Sequence, residues 1–294
     1  MMCYNVSHLT RTRYARPVRF TRCNLRLRPI EWDGQVVESY DLAVTPSASF
    51  VETRPSGYAV NVQRMLIDRP ASEVAIRSRF RVTVNRPVPQ VRDDDPTVAE
   101  VGAAARGSRD LSATGPGNYL FASPMIPLDP AIGAWCAEEL APDRPVVEAC
   151  YALTRRMTAE FRYDGKATEL DTPPAEAFAK RHGVCQDFAQ IMIAGLRAAS
   201  VPAAYVSGYL RTIPPPGKAR LVGADATHAW VLAWCGPARG WIGFDPTNAC
   251  AMASDHIVTA IGRDYADVAP IGGIFLGGGR QKIDVEVDVE PIEG

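Results

Sequence analysis

The chain has 294 residues, a formal net charge of -1, 47% hydrophobic residues and 22% charged ones. That length accommodates two domains with real cores. The neutral balance supplies no basic field for nucleic acid, and no apolar run approaches the ~20 residues that cross a bilayer. The 7 cysteines (Cys3, Cys23, Cys136, Cys150, Cys185, Cys235 and Cys250) form no Cys-x-x-Cys pair, which argues against redox and zinc motifs. Thr10 to Arg28 is rich in arginine rather than apolar, unlike a secretory signal. Together with unpaired thiols, this makes a cytoplasmic location the expectation. The 24 prolines and 23 glycines favour the many turns of a β-rich fold.

Residues up to about Pro87 read as all-β. From Glu73 to Val84, Val74, Ile76, Ser78, Phe80, Val82 and Val84 alternate with Glu73, Arg77, Arg79, Arg81 and Thr83. That is the pattern of a half-buried antiparallel strand. Tyr58 to Val62 and Asn24 to Arg28 alternate similarly, so the arginines of Arg11 to Arg28 read as a solvated strand face. Asp93 to Pro96 and Gly107 to Gly117 read as loops, with a soft domain boundary between residues 90 and 125.

Helical periodicity then covers Pro130 to Leu140 and Pro145 to Glu160. A third helix starts at Cys185 and stops near Ser200, because Pro202 forbids continuation. Strands follow at Ala203 to Leu210, Ala226 to Trp234 and Gly240 to Asp245, with a loop at Pro214 to Gly217. Gly277-Gly278-Gly279 lacks the Lys-Ser/Thr of a phosphate loop and leads into a strand. In that strand, Lys282 to Glu290, valines and Ile283 alternate with charges, as expected if it returns to the N-terminal sheet. The expected organisation is α+β: a β-rich, sandwich-like domain over residues 1–110, a core over 111–275 and a C-terminal strand over 276–294.

Cys185 stands at a helix start, two residues after Gly183. A thiol there feels the positive end of the helix dipole, which favours the nucleophilic thiolate. Catalysis also needs a base and a group to orient it. The histidines are His8, His182, His228 and His256. His228 begins one expected strand and Asp245 ends the next. If the chain turns about Gly236-Pro237, the two lie directly opposite. If it turns about the longer loop Cys235 to Gly240, His228 faces Thr247 and Asp245 is its diagonal neighbour. Opposite residues are ~5 Å apart and diagonal ones ~7–8 Å, so either register permits contact. In Asp245-Pro246-Thr247-Asn248 the aspartate also suits capping of its own turn. His182 is expected to be exposed and His256 to be structural. No ligand spacing supports a metal, and no cofactor motif is present.

The ordered motifs Gly183-Val184-Cys185-Gln186-Asp187-Phe188, Tyr205-Val206-Ser207-Gly208-Tyr209-Leu210, Thr227-His228-Ala229-Trp230-Val231 and Gly240-Trp241-Ile242-Gly243-Phe244-Asp245-Pro246-Thr247-Asn248 closely resemble the bacterial transglutaminase-like superfamily. Gly262 to Val268 resembles its downstream segment, and Val6 to Thr10 with Tyr14 its bacterial N-terminal region. The resemblance implies a papain-like fold with the nucleophile helix packed on an antiparallel sheet. It implies Cys185 as nucleophile, His228 as base and later acid, and Asp245 as orienter. Gln190 departs from the histidine that many relatives carry there.

The implied activity is cleavage of a peptide or amide through a thioacyl-enzyme. Transglutaminase-type transfer to an amine is the alternative, and a non-catalytic binding module a further one. No calcium loop of alternating carboxylates is present, so calcium-dependent crosslinkers are a poor guide. Tyr163 is a candidate oxyanion donor, with an aromatic core residue the alternative; Asp187 is a supporting residue; and Tyr209 and Trp230 are candidate walls of the acyl site, with core packing the alternative for both. The expected partner is a peptide or amide-bearing small substrate, with no nucleic acid and no membrane.

Overall fold

A computed structural model describes residues 1–54, 56–212 and 227–292. The expected loop Pro214 to Gly217 and the strand start at Ala226 lie outside the described residues. The N-terminal strands are β1 (Met2–Leu25), β2 (Gln35–Thr45), β3 (Phe50–Arg54), β4 (Val62–Ile67) and β5 (Ala71–Val84). β1 is the spine: it pairs with β5 through Met2 to Arg13 and with β4 through Thr21 to Leu25. The result is one seven-stranded sheet that curls, rather than two separate sheets. Val18, Leu25, Met65, Ile67, Val74 and Ile76 fill the concavity. The charged face of β5 is wet, as its alternation requires.

Helices α1 (Val98–Gly107), α2 (Pro130–Ala137) and α3 (Val146–Glu160) come next. α1 went unread in the sequence, although Thr97 and Glu100 form a reciprocal capping box at its start. The short strand β6 (Arg162–Tyr163), helix α4 (Pro174–Lys180) and strand β7 (His182–Gly183) lead into α5 (Cys185–Ala198). Strands β8 (Ala203–Leu210), β9 (Thr227–Trp234), β10 (Trp241–Asp245), β11 (Cys250–Ala251) and β12 (His256–Gly262) form an antiparallel sheet ordered β11-β10-β9-β8-β12. A short α6 (Tyr265–Val268) follows.

α5 packs on this sheet and is buried on nearly every side, from Gln186 to Arg197. Phe188, Ile191, Met192 and Leu196 join Tyr205, Val231 and Ala233 in the main core. The opposite face of the sheet buries Val206, Trp230 and Leu232 under Ile30 and Tyr119. Strands β13 (Ile271–Gly277) and β14 (Gln281–Ile292) then return to β1, pairing with Val18 to Leu25 and Cys3 to Tyr14 respectively. The break between them is Gly277-Gly278-Gly279, all at positive φ, opposite the register shift in β1 between Arg13 and Val18.

Arg197 near the end of α5 is 3% exposed. Its guanidinium donates to the carbonyls of Tyr119, Ala203 and Arg263 and to Ser123 Oγ. Burial pulls its pKa down to about 10, against the pull of Asp264. Arg197→Met should therefore cost about 3 kcal/mol or more, because buried carbonyls lose their donors. Urea unfolding monitored by far-UV circular dichroism checks this.

Candidate active site

The start of α5 is fixed by Asp187. Its carboxylate accepts from the Val184 backbone N–H at 2.8 Å and from Thr168 Oγ1 at 2.7 Å. Burial raises the pKa of Asp187, and these two bonds oppose the rise. Gly183 makes the arrangement possible: a Cβ there would lie 2.6 Å from Asp187 Oδ2. Asp187 thus ties the helix start to the 164–172 loop. Gln186 reinforces the tie by donating to the Leu170 carbonyl at 2.8 Å. The first intrahelical bond runs from Phe188 N–H to the Val184 carbonyl, so the Cys185 N–H precedes the helical ladder.

β9 and β10 pair Val231 with Phe244 and Leu232 with Gly243. This is the register set by the longer loop, with Cys235 N–H bonded to the Gly240 carbonyl. Continuing it places Asp245 diagonal to His228. Their side chains meet at 2.7 Å between His228 Nε2 and Asp245 Oδ2. The His228 side chain is 11% exposed and that of Asp245 0%, so the pair is nearly dry.

Asp245 divides its work between its two oxygens. Oδ1 accepts from the backbone N–H groups of Thr247 at 2.9 Å and Asn248 at 3.2 Å, which is the turn cap that the Asp-Pro-Thr-Asn sequence suggested. Oδ2 faces His228 Nε2, Asn248 Nδ2 at 2.7 Å and His256 Nε2 at 3.3 Å. Burial alone would push the carboxyl pKa up. The hydrogen bonds from His228, His256 and Asn248 outweigh it and hold Asp245 well below the usual carboxylate range.

His228 shows the complementary balance. Burial disfavours the charged ring, yet hydrogen bonds to Asp245 and Cys185, with the negative charge of both, raise its pKa to about 10. With Nε2 committed to Asp245, Nδ1 is the ring nitrogen left for Cys185. The structure therefore joins His228 to Asp245 directly, on a strand packed against the helix that Cys185 begins.

The other expected residues are placed differently. Tyr163 pairs with Gly183 across β6 and β7. Its side chain is exposed, and burial of part of the ring, then the neighbouring Cys185, raises its pKa. Of the two readings of Tyr209, core packing is the one its surroundings fit: it is buried at 2% exposure against Phe80, with its hydroxyl 2.7 Å from His8 Nδ1. It belongs to the contact with the N-terminal sheet, not to an acyl pocket. Core packing also fits Trp230. It is fully buried, stacked on His228 at 6.0 Å, with its indole N–H on Met252 Sδ. It supports the imidazole and presents no wall to a substrate. Gln190 is buried, and neither amide atom has a partner among the described residues.

Two residues without an assigned role in the sequence join the set: Asn248 and His256. Asp245, Cys250 and His256 have ligand-type atoms within 4.8 Å of one another. The donor set suits a hydrogen-bond network better than a cation, because both Asp245 oxygens and His256 Nδ1 are already engaged.

A papain-like helix-on-sheet core carrying a Cys-His-Asp set defines a class, and comparison with known proteins agrees. Residues 4–83 match the bacterial transglutaminase-like N-terminal region, and residues 135–246 match the transglutaminase-like superfamily. Uncharacterized proteins of Mycobacterium bovis and Mycobacterium tuberculosis are 36% identical over 297 residues, covering 99% of this chain and 93% of theirs. A solved chain from Cytophaga hutchinsonii, described as a candidate cysteine protease, superposes with a TM-score of 0.77 at 21% identity, covering 100% of this chain and 91% of that one. The chain belongs to the transglutaminase-like superfamily. A protein-glutamine gamma-glutamyltransferase of Pseudomonas aeruginosa is 36% identical over 108 residues, covering 34% of this chain and 16% of that protein.

The paired shifts predict a pH window. The raised pKa of His228 contributes stability that is complete below its unfolded value of about 6.5 and fades as pH rises towards about 10. The depressed pKa of Asp245 contributes stability that is complete above about pH 4 and is lost in stronger acid. Urea titrations of wild type and Asp245→Asn should differ most between about pH 4 and 6.5, and the gap should narrow on both sides.

Proposed function

We propose that the protein is a thiol enzyme that cleaves a peptide or amide bond through a thioacyl intermediate. The observation that carries this reading is the nearly dry 2.7 Å contact between His228 Nε2 and Asp245 Oδ2, on the sheet against which the helix begun by Cys185 packs. The Cys185 sulfur attacks the carbonyl carbon, and the carbonyl π electrons move to oxygen. The Cys185 N–H, ahead of the helical ladder, is suited to bind that oxyanion, and Tyr163, on the strand paired with Gly183, is the candidate for a further donor. As the C–N bond breaks, imidazolium His228 gives its Nδ1 proton to the leaving amine. Water then loses a proton to His228 and attacks the thioester carbon. The acid departs and the cysteine is restored.

The Pseudomonas relative motivates a second reading, in which an amine replaces water. We favour water, because the chain has no calcium loop of alternating carboxylates. The substrate class is a peptide or amide-bearing small molecule. All 7 cysteines are free, which suits a reducing compartment, and we propose the cytoplasm. Among the described residues no helix is long and apolar enough to cross a membrane.

Cys185→Ala should retain its fold and lose turnover by about 10⁴-fold or more. Retained turnover would remove the triad. The acceptor is decided by a glutamine peptide supplied with a fluorescent primary amine. Cleavage without incorporation is expected, and incorporation would establish amine transfer.

A further inference from the structure

We propose that His256 is a positioning residue for the Asp245–His228 pair. The proposal rests on reading Cys185, His228 and Asp245 as a catalytic triad. His256 opens β12 and is 3% exposed. Its Nδ1 accepts the Ala253 backbone N–H at 3.3 Å. A neutral imidazole whose Nδ1 accepts carries its proton on Nε2. That Nε2 lies 3.3 Å from Asp245 Oδ2, the same oxygen that meets His228. The local turn therefore sets the tautomer, and the tautomer supplies a donor to the carboxylate.

Packing turns this bond into a restraint. The Trp230 ring meets the His256 ring edge-on at 5.1 Å and stacks on His228 at 6.0 Å. One indole thus spaces two imidazoles that converge on one oxygen. The backbone beneath His256 is held from the N-terminal domain. Arg86 donates to the carbonyls of His256 at 3.2 Å and Ala253 at 3.4 Å. Ser254 Oγ accepts the Arg86 backbone N–H and donates to the Arg86 carbonyl. A connected path runs from Arg86 through His256 to Asp245 and His228. Without the His256 donor, Oδ2 keeps only Asn248 Nδ2 beside His228 and loses the restraint from the β12 side, which loosens the aim of the imidazole.

The test uses the full chain and iodoacetamide, with the alkylation rate of Cys185 followed at pH 7 by peptide mass mapping. His256→Phe should slow alkylation about tenfold, the low end for losing an outer partner of a functional group. His256→Gln retains an N–H donor near the Nε2 position and should stay within about threefold of wild type. Wild-type alkylation in His256→Phe would overturn the proposal. So would a His256→Gln protein as slow as His256→Phe, since the loss would then lie in packing. If His256→Phe fails to fold, ¹⁵N spectra of the wild-type imidazoles decide: an Nε2–H tautomer at His256 is expected, and an Nδ1–H tautomer overturns the proposal. His228→Ala separates the two levels. If it too leaves alkylation unchanged, the triad reading fails. If it slows alkylation and His256→Phe does not, only the role of His256 fails.

Discussion

The bond between His228 and a wholly buried Asp245 is the constraint on which the site depends. A carboxylate with no access to water is tolerated only when its charge is met by donors. Here the donors come from its own turn, from β9 and from β12, so three segments must arrive together. Strand register decides whether they do. Side chains alternate at period two, so a slip of one residue between β9 and β10 would turn the imidazole to the other face. The loop from Cys235 to Gly240, closed by its own backbone hydrogen bond, selects the register in which Asp245 lies diagonal to His228.

Much of this was legible in the chain. Helical period after Cys185 announced a buried helix, and strand parity made a His228–Asp245 contact possible in either register. The competing reading of Asp245 as a turn cap was also right, because one carboxylate oxygen caps while the other meets the imidazole. Tyr209 shares a strand face with Tyr205 by parity. Tyr205 packs with α5, whereas Tyr209 packs with the N-terminal sheet. Periodicity gives the face but not what covers it. His256 was invisible as a partner because its approach to Asp245 arises from a tertiary turn. α1 could have been found from Thr97 and Glu100, whose spacing is that of a capping box.

The N-terminal sheet is joined to the core by specific polar contacts as well as apolar ones. Tyr4, Val6 and Phe80 bury Tyr209 and Ile257. Gln35 treats the core sheet as if it were another strand: its amide donates to the Val258 carbonyl and accepts the Val258 N–H, both at 2.8 Å. That satisfies backbone groups a free edge would leave open. With Arg86 gripping the carbonyls ahead of β12, the β-rich domain is built into the floor of the site.

The pairing of β14 along β1 has a consequence for biosynthesis. A ribosome delivers the first strand of the sheet more than 250 residues before its final neighbour, since Cys3 aligns with Ile292. Until then one edge of β1 lacks its partner, and an open edge is a template for unwanted pairing. The core, by contrast, has nearly all its strands in hand by Gly262. Closure of so long a loop is slow relative to local helix formation. The N-terminal sheet thus receives its last strand only after the strands of the core have been made.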